Sequence, residues 1–270
     1  MTEQEASAEA VTTFADLHRA PAPLLLPNAW DHASAAALAA RGFAAIGTTS
    51  LGVAAAAGLP DGAAATRDAT LSLALALGNG PFLLSVDTEG GFSDDPDEVA
   101  QVARELAAVG AVGINLEDGR PDGTLAPAGL HAAKIAAVKA AVPGLFVNAR
   151  TDTYWLGGGE RDSDGAGPET RRRLDAYQQA GADGVFVPGL SEPPRIAALV
   201  KTLDVPLNIL YSPTGPTVPA LGDLGVRRIS LGSLLYRRAL GAALETVAEI
   251  RAGRPVKGVA PTYAEVQALV

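Results

Sequence analysis

The chain predicts a (β/α)8 barrel, and three observations carry the prediction. Eight short β-rich runs recur: Leu24–Trp30, Ala44–Ser50, Phe82–Thr88, Gly113–Glu117, Leu145–Thr151, Gly184–Pro188, Pro206–Tyr211 and Arg228–Gly232. Between them lie segments rich in Ala, Leu, Arg and Glu whose apolar residues fall at spacings of three and four, the helix period. Four helix ends share one form: Arg41-Gly42-Phe43-Ala44, Val109-Gly110-Ala111-Val112, Ala180-Gly181-Ala182-Asp183 and Leu224-Gly225-Val226-Arg227. A Gly there can take the left-handed conformation that ends a helix and releases the chain into the next strand. Eight such units favour a closed barrel. An open doubly wound sheet is the alternative, but no Gly-x-Gly-x-x-Gly follows the first run.

Each class of element can be justified in turn. The β-rich runs are nearly continuous in apolar residues, as parallel strands buried on both faces must be. In Pro96–Val109, the residues Val99, Val102, Ala103, Leu106 and Ala107 form one helical stripe. The segment Gly157–Gly167 is polar and Gly-rich and reads as a loop over the barrel mouth after the fifth run. No linker divides the 270 residues, so residues 1–270 read as a single barrel domain with a helical tail at about 254–270.

Composition narrows the function. An apolar fraction of 48% supports a sizeable core, built from Ala, Leu and Val because aromatics are only 5%. The absence of Cys removes disulfides, thiolate metal sites and Cys nucleophiles. Met1–Glu9 is acidic and does not read as a signal peptide. Apolar stretches such as Leu71–Leu77 fall far short of the ~20 residues of a membrane span, so the expectation is a cytoplasmic protein with no membrane partner. A net charge of −9 argues against nucleic acid. It leaves room for an anionic small substrate, because a metal and a local Arg can reverse the field in a cleft.

Barrel active sites are built at the C-terminal ends of the strands. Three neighbouring runs end there in acids: Val86-Asp87-Thr88-Glu89, Leu116-Glu117-Asp118 and Ala149-Arg150-Thr151-Asp152, the last with an Arg. Asp87 and Glu89 are two apart, so both can point to the same side of a strand. Carboxylates converging on one point repel unless a cation lies among them. Mg²⁺, or Mn²⁺ in its place, suits such a site, because Mg²⁺ takes oxygen ligands and needs only one or two protein carboxylates.

The chain resembles the isocitrate lyase / phosphoenolpyruvate mutase superfamily. The stretches that carry the resemblance are Pro27-Asn28-Ala29-Trp30-Asp31, Thr48-Thr49-Ser50-Leu51-Gly52, Asp61, Val86–Phe92, Gly113–Asp118, Asn148–Asp152 and Arg228–Gly232, in family order through almost the whole chain. The resemblance implies a TIM barrel of the phosphoenolpyruvate/pyruvate type, with a C-terminal helix exchanged between subunits of a homodimer or homotetramer. It implies that Asp87 binds Mg²⁺ directly while Glu89 and Glu117 hold its waters; the family usually has Asp at the place of Glu89. Ser50, Leu51 and Gly52 would bind the substrate carboxylate, Arg150 an oxygen of the 2-oxo acid or its enolate, and Asp61 would order the site. Asn208 resembles a carboxylate-binding position of the lyase branch.

One departure stands out. The lyases carry a Lys-Cys-Gly-His-type segment after the fourth strand, and the mutases a Lys and an Asn. Here the stretch reads Gly119-Arg120-Pro121-Asp122-Gly123-Thr124-Leu125-Ala126-Pro127. The half of the site that would stabilise an enolate is therefore kept, and the half that selects lyase or mutase chemistry is replaced. Loss of CO2 from a 3-carboxy-2-oxo acid needs no base in the bond-breaking step, whereas retro-aldol cleavage needs both an acid and a base. Tyr154, His131, Asp118 and Tyr211 are the candidates for those roles, and each reads equally as structural. Lys134, Lys139, Lys201 and Lys257, the only lysines, fall on predicted helices or the tail, against a Schiff-base aldolase. Arg171-Arg172-Arg173 reads most simply as a solvated helix face, with a phosphate or partner site as the alternative, and Trp155 as a cover for the substrate or a packing residue. Three readings follow: a Mg²⁺-dependent carbon–carbon lyase or decarboxylase for small 2-oxo or 2-hydroxy acids, a phosphonate mutase or hydrolase, and a non-catalytic barrel that binds 2-oxo acids.

Overall fold

The computed structural model describes residues 13–156 and 166–269, so the acidic start of the chain and most of the Gly-rich segment 157–167 lie outside the described residues. The strands are β1 (Leu24–Leu26), β2 (Asn28–Ala29), β3 (Ala45–Thr48), β4 (Leu83–Asp87), β5 (Ala111–Glu117), β6 (Phe146–Arg150), β7 (Gly184–Phe186), β8 (Leu207–Leu210) and β9 (Arg228–Ser230). They pair in parallel in the order β1-β9-β8-β7-β6-β5-β4-β3-β2.

The first β-rich run is thus two strands rather than one. Proline has no N–H to give a ladder, and Pro27 splits the run: β1 pairs with β9 and β2 with β3, while the Pro27 carbonyl accepts from Gly47 N at 2.8 Å. Because the two pieces are consecutive in the chain, they bring the ends of the sheet together and close the (β/α)8 barrel.

Around the barrel lie α1 (Phe14–Leu17), α2 (His32–Ala40), α3 (Ser50–Ala57), α4 (Arg67–Leu77), α5 (Pro96–Ala108), α6 (Ala128–Ala141), α7 (Ala166–Gln179), α8 (Pro193–Val200), α9 (Val218–Asp223), α10 (Leu234–Arg251) and α11 (Tyr263–Gln267). Their starts follow local chemistry. Asp95 accepts from Asp97 N with Pro96 in the first turn of α5, and Asp31 and Ser34 form a reciprocal cap on α2. The predicted stripe of α5 is buried at Val99, Val102, Ala103 and Leu106. The four helix-to-strand glycines, Gly42, Gly110, Gly181 and Gly225, all have positive φ, between 83° and 102°.

Alternation along the strands sorts the core. Ile46, Leu84, Val86, Ile114, Leu116, Val147, Val185, Ile209 and Ile229 belong to the main apolar core. The N-terminal end of the barrel is closed by α1, where Phe14 meets the Phe146 ring edge-on at 5.3 Å and His18 stacks on it at 4.2 Å. The barrel interior above this plug is polar: Ser85, Asn115, Asn148, Asn208, Arg228 and Ser230 are all buried. Among the described residues no helix is long and apolar enough to cross a membrane.

Candidate active site

The strand-end residues gather around Arg150. Its Nη1 lies 2.6 Å from a Glu117 carboxylate oxygen, and its Nε and Nη2 donate to the two oxygens of Asp152 at 2.6 and 3.0 Å. Strand register places these partners, since Glu117 of β5 is opposite Arg150 of β6. Burial opposes the Arg150 charge, but Glu117 and Asp152 outweigh it and hold the guanidinium protonated. Phe186 lies beneath it, with 5.7 Å between the guanidinium carbon and the ring centre.

Asp87, at the end of β4, accepts from Ser50 N at 3.1 Å, and its own N–H donates to Thr48 Oγ1 at 2.9 Å. Ser50 opens α3, so the Leu51 and Gly52 N–H groups belong to the first helical turn, where donors have no intrahelical acceptor. Only Gly fits at position 52: a Cβ there would come within 2.7 Å of Thr49 and 2.9 Å of Trp30. Asp61 stands on the rim, engaged by the Ser50 side chain; desolvation pushes its pKa up and Asp87 adds to the rise. Burial likewise raises Glu117, to about 8; Arg150 opposes the rise and Asp152, Asp87 and Asp61 add to it.

A cavity of about 130 Å³ joins Ser50, Leu51, Asp61, Asp87, Asn115, Arg150, Trp155 and Ser230. Glu89 and Glu117 line a neighbouring cavity of about 420 Å³ instead, with Arg120, Asp122 and Lys134. Glu89 has φ of 48°, a left-handed conformation held against its cost, and its carboxylate takes hydrogen bonds from Thr66 Oγ1 and Ala64 N. Asp87 still acts on both glutamates, adding to the rise that burial gives each pKa, so the three carboxylates surround one region from two adjoining cavities. Among the described residues no group of three or more His, Cys, Asp or Glu is placed to hold an ion directly. The carboxylates that face the cavity are Asp87 at a strand end and Asp61, with Glu89 and Glu117 in the adjoining cavity.

Several expectations change. Asn208 does not line the cavity; it is buried behind it and its Nδ2 donates to Ser230 Oγ at 2.9 Å. None of the four acid–base candidates reaches the cavity. His131 packs edge-on to Tyr177 at 4.6 Å, and Tyr154 lines a separate cleft beside α7. Asp118 is fully buried and accepts from Thr151 Oγ1, Asp152 N, Arg173 Nη1 and Tyr177 OH. Arg173 is therefore not on a solvated face: it is 6% exposed and paired with Asp118. Lys134 is buried too, its Nζ donating to Gly90 O and Asp94.

Sequence reasoning gave no role to Asn115, Ser230 or Arg228, and counted Asp152 only among the strand-end acids. The signal for two of them was present. Asn115 stands two residues before Glu117, and Ser230 two after Arg228, so each pair shares the inward face of a strand.

A family model described as phosphoenolpyruvate phosphomutase matches residues 14–251. The chain belongs to the phosphoenolpyruvate phosphomutase family, within the isocitrate lyase / phosphoenolpyruvate mutase superfamily. Relatives differ in what is said of them. An uncharacterized protein of Mycobacterium tuberculosis is 45% identical over 95% of both chains. The 2-methylisocitrate lyase of Bacillus subtilis is 30% identical over 80% of this chain and 72% of its own. A solved phosphonopyruvate hydrolase in complex with oxalate and Mg²⁺ is 26% identical, with a TM-score of 0.79 over 96% of this chain and 95% of that one. This member of the family thus shares its barrel with lyases, mutases and hydrolases.

Proposed function

We propose that this chain is a Mg²⁺-dependent carbon–carbon lyase or decarboxylase for a small 2-oxo or 2-hydroxy di- or tricarboxylate, with Mn²⁺ able to replace Mg²⁺. The observation that carries the reading is the pairing of Arg150 and Asp87 across a cavity of about 130 Å³ whose lining, among the described residues, holds no Lys, His or Tyr. The residues present fit a hard divalent ion. Asp61, Asp87, Glu117 and Asp152 outnumber the guanidinium groups of Arg150 and of Arg228 beneath, and every donor is an oxygen. Asp87 would hold the ion, with Glu89 and Glu117 holding its waters from the adjoining cavity and Asp61 ordering the site. When bound, the ion supplies positive charge at the substrate oxygens.

The protein's own groups do the rest. Leu51 and Gly52 N–H, at the start of α3, orient a carboxylate. Arg150, fixed on two sides by Glu117 and Asp152, presents a donor whose position does not need to reorganise as charge develops on the enolate oxygen. A cavity whose ionisable lining is carboxylate and Arg150 suits decarboxylation of a 3-carboxy-2-oxo acid, where bond breaking needs no base.

The test is calorimetry with Mg²⁺ and oxalate. The parent chain binds oxalate only when Mg²⁺ is present, and Asp87→Ala lowers that affinity by at least about a hundredfold, the upper range for disturbing a metal's surroundings. Unchanged affinity in the variant removes the metal assignment. The likeness to a phosphonopyruvate hydrolase favours a second reading, phosphonate chemistry on the same core. Phosphate released from phosphonopyruvate would support it; pyruvate or CO2 released from carbon acids supports the first.

A further inference from the structure

The cavity floor is built on a cation that the proposed chemistry does not use. Arg228 rises from the start of β9 inside the barrel, 1% exposed, its guanidinium carbon 6.0 Å from the Phe14 ring of the plug. No carboxylate pairs with it among the described residues. Its Nη2 donates to Asn115 Oδ1 at 3.0 Å and its Nε to Ser230 Oγ at 3.1 Å. Burial pushes its pKa down to about 9, with the Asp87 charge opposing the fall.

These bonds fix the direction of two cavity-lining groups. Arginine can only donate, so the Asn115 amide must turn its oxygen toward Arg228. Asn148 Nδ2 donates to the same oxygen at 2.8 Å. With Oδ1 taken from below and from the side, Nδ2 is the amide atom of Asn115 left for the cavity. Ser230 Oγ is in the same position. It accepts from Arg228 Nε and from Asn208 Nδ2 at 2.9 Å, so both lone pairs are used and its proton must point elsewhere. Both residues line the cavity with Asp87 and Arg150.

We propose that Asn115 Nδ2 and Ser230 Oγ–H form a donor pair on the cavity floor that takes a carboxylate oxygen of the bound acid, with Arg228 and Asn208 as positioning residues beneath. The inference rests on the reading of the site as one for small 2-oxo acids. It adds that a floor offering only donors selects a substrate with an anionic oxygen there and rejects one with a methyl or amino group. A buried donor left without an acceptor is penalised. The arrangement also explains why Arg228 is tolerated without a direct ion pair: Asp87 opposes part of the burial cost from across the cavity, and the Arg228 charge polarises two dipoles toward the place where the acid's negative charge sits.

The experiment compares oxalate affinity with Mg²⁺ across variants by calorimetry, with thermal melts of each. Ser230→Ala deletes one hydroxyl and is expected to weaken oxalate roughly tenfold, as for a hydrogen bond to a charged group. Asn115→Asp keeps the shape, turns the cavity-facing donor into an acceptor, and loses more. Arg228→Met and Asn115→Ala together lose less than the sum of the two alone, because both remove the same oriented donor; a purely structural Arg228 would give additive losses. Should Arg228→Met fail to fold, the Ser230 and Asn115 variants still decide. Affinities within twofold of the parent in both, with native melts, overturn the floor while leaving the metal site standing. A parent chain that binds no oxalate with Mg²⁺ overturns both.

Discussion

At the scale of single residues, burial decides which groups can carry charge. His18 is stacked on Phe146 with Nδ1 at 2.8 Å from Phe14 O, and burial, helped by the nearby Arg228, depresses its pKa to about 3. His131 is fully buried, and burial depresses its pKa to about 4. In the unfolded chain both titrate near 6.5. Above that pH both forms are neutral in either state and neither histidine affects stability. Below it the unfolded chain takes up protons that the folded chain refuses, so stability falls as pH drops from about 6.5 toward 4, by up to about 1.4 kcal/mol per pH unit for each histidine. Urea melts at pH 7.5, 6.5 and 5.5 on the parent and on His18→Leu and His131→Leu check this: each variant flattens the acid slope. An unaltered slope in both would mean that other groups set it. Residues at strand ends were the easiest to read in the sequence. Asp87 and Arg150 announce themselves because a charge at the end of an apolar run has no packing reason to be there. Asn115 and Ser230 did not, because a single neutral polar residue inside a strand looks like a tolerated exception until the Arg228 side chain is seen to reach it.

At the scale of elements, α7 shows how the site is braced from outside. Arg173 Nη1 donates to Asp118 at 2.9 Å and to Ala126 O at 2.8 Å, Tyr177 OH donates to Asp118 at 2.6 Å, and Asp118 accepts from Asp152 N at 2.9 Å. Asp152 in turn grips Arg150, so a helix on the barrel's outer face sets the position of a residue in its mouth. Arg173→Ala leaves Asp118, 0% exposed, without its cation. Breaking a buried pair from one side costs about 3–5 kcal/mol. Arg172, 58% exposed at its side chain and paired among the described residues only with Glu169, should lose no more than about 0.5 kcal/mol on the same change. Chemical denaturation of the two variants separates them, and equal losses would show that the brace is not there. The sequence disguised this: three consecutive arginines look like one solvated face. The helix phase held the clue, since Thr170, Arg173, Leu174 and Tyr177 fall on one stripe at spacings of three and four and all four are buried. The split of the first strand was equally readable in principle, because Pro27 cannot donate within a ladder.

At the scale of the whole molecule, the barrel is closed but its last long helix is not covered. In α10 no residue is buried, and Leu240, Leu244, Val247 and Ile250 are 50–65% exposed. The tail beyond it adds Val256, Val259 and Tyr263, 49%, 100% and 85% exposed. The tail's far end instead reaches α2, where Ala268 and Leu269 share a cavity with Ala35, Ala36 and Ala39. The tail therefore does not fold back over α10, and an apolar stripe of this kind on a separate chain marks an association surface. The occupant that fits best is a second copy, because the stripe lies on the part of α10 beyond Tyr236, which stands clear of its own barrel and can lie against another's, burying both by the same contacts. We expect a homodimer or homotetramer at micromolar concentration. Leu244→Glu with Val247→Glu places two charges on the stripe and converts the assembly to monomers, while the circular dichroism of the barrel stays native because neither side chain is packed within its own chain. A version ending at Gly253 separates the helix from the tail: if it stays assembled, α10 alone makes the contact, and if it dissociates, the tail shares it. Light scattering reads all three. A parent chain that is monomeric, or a double variant that remains assembled, removes α10 as the interface.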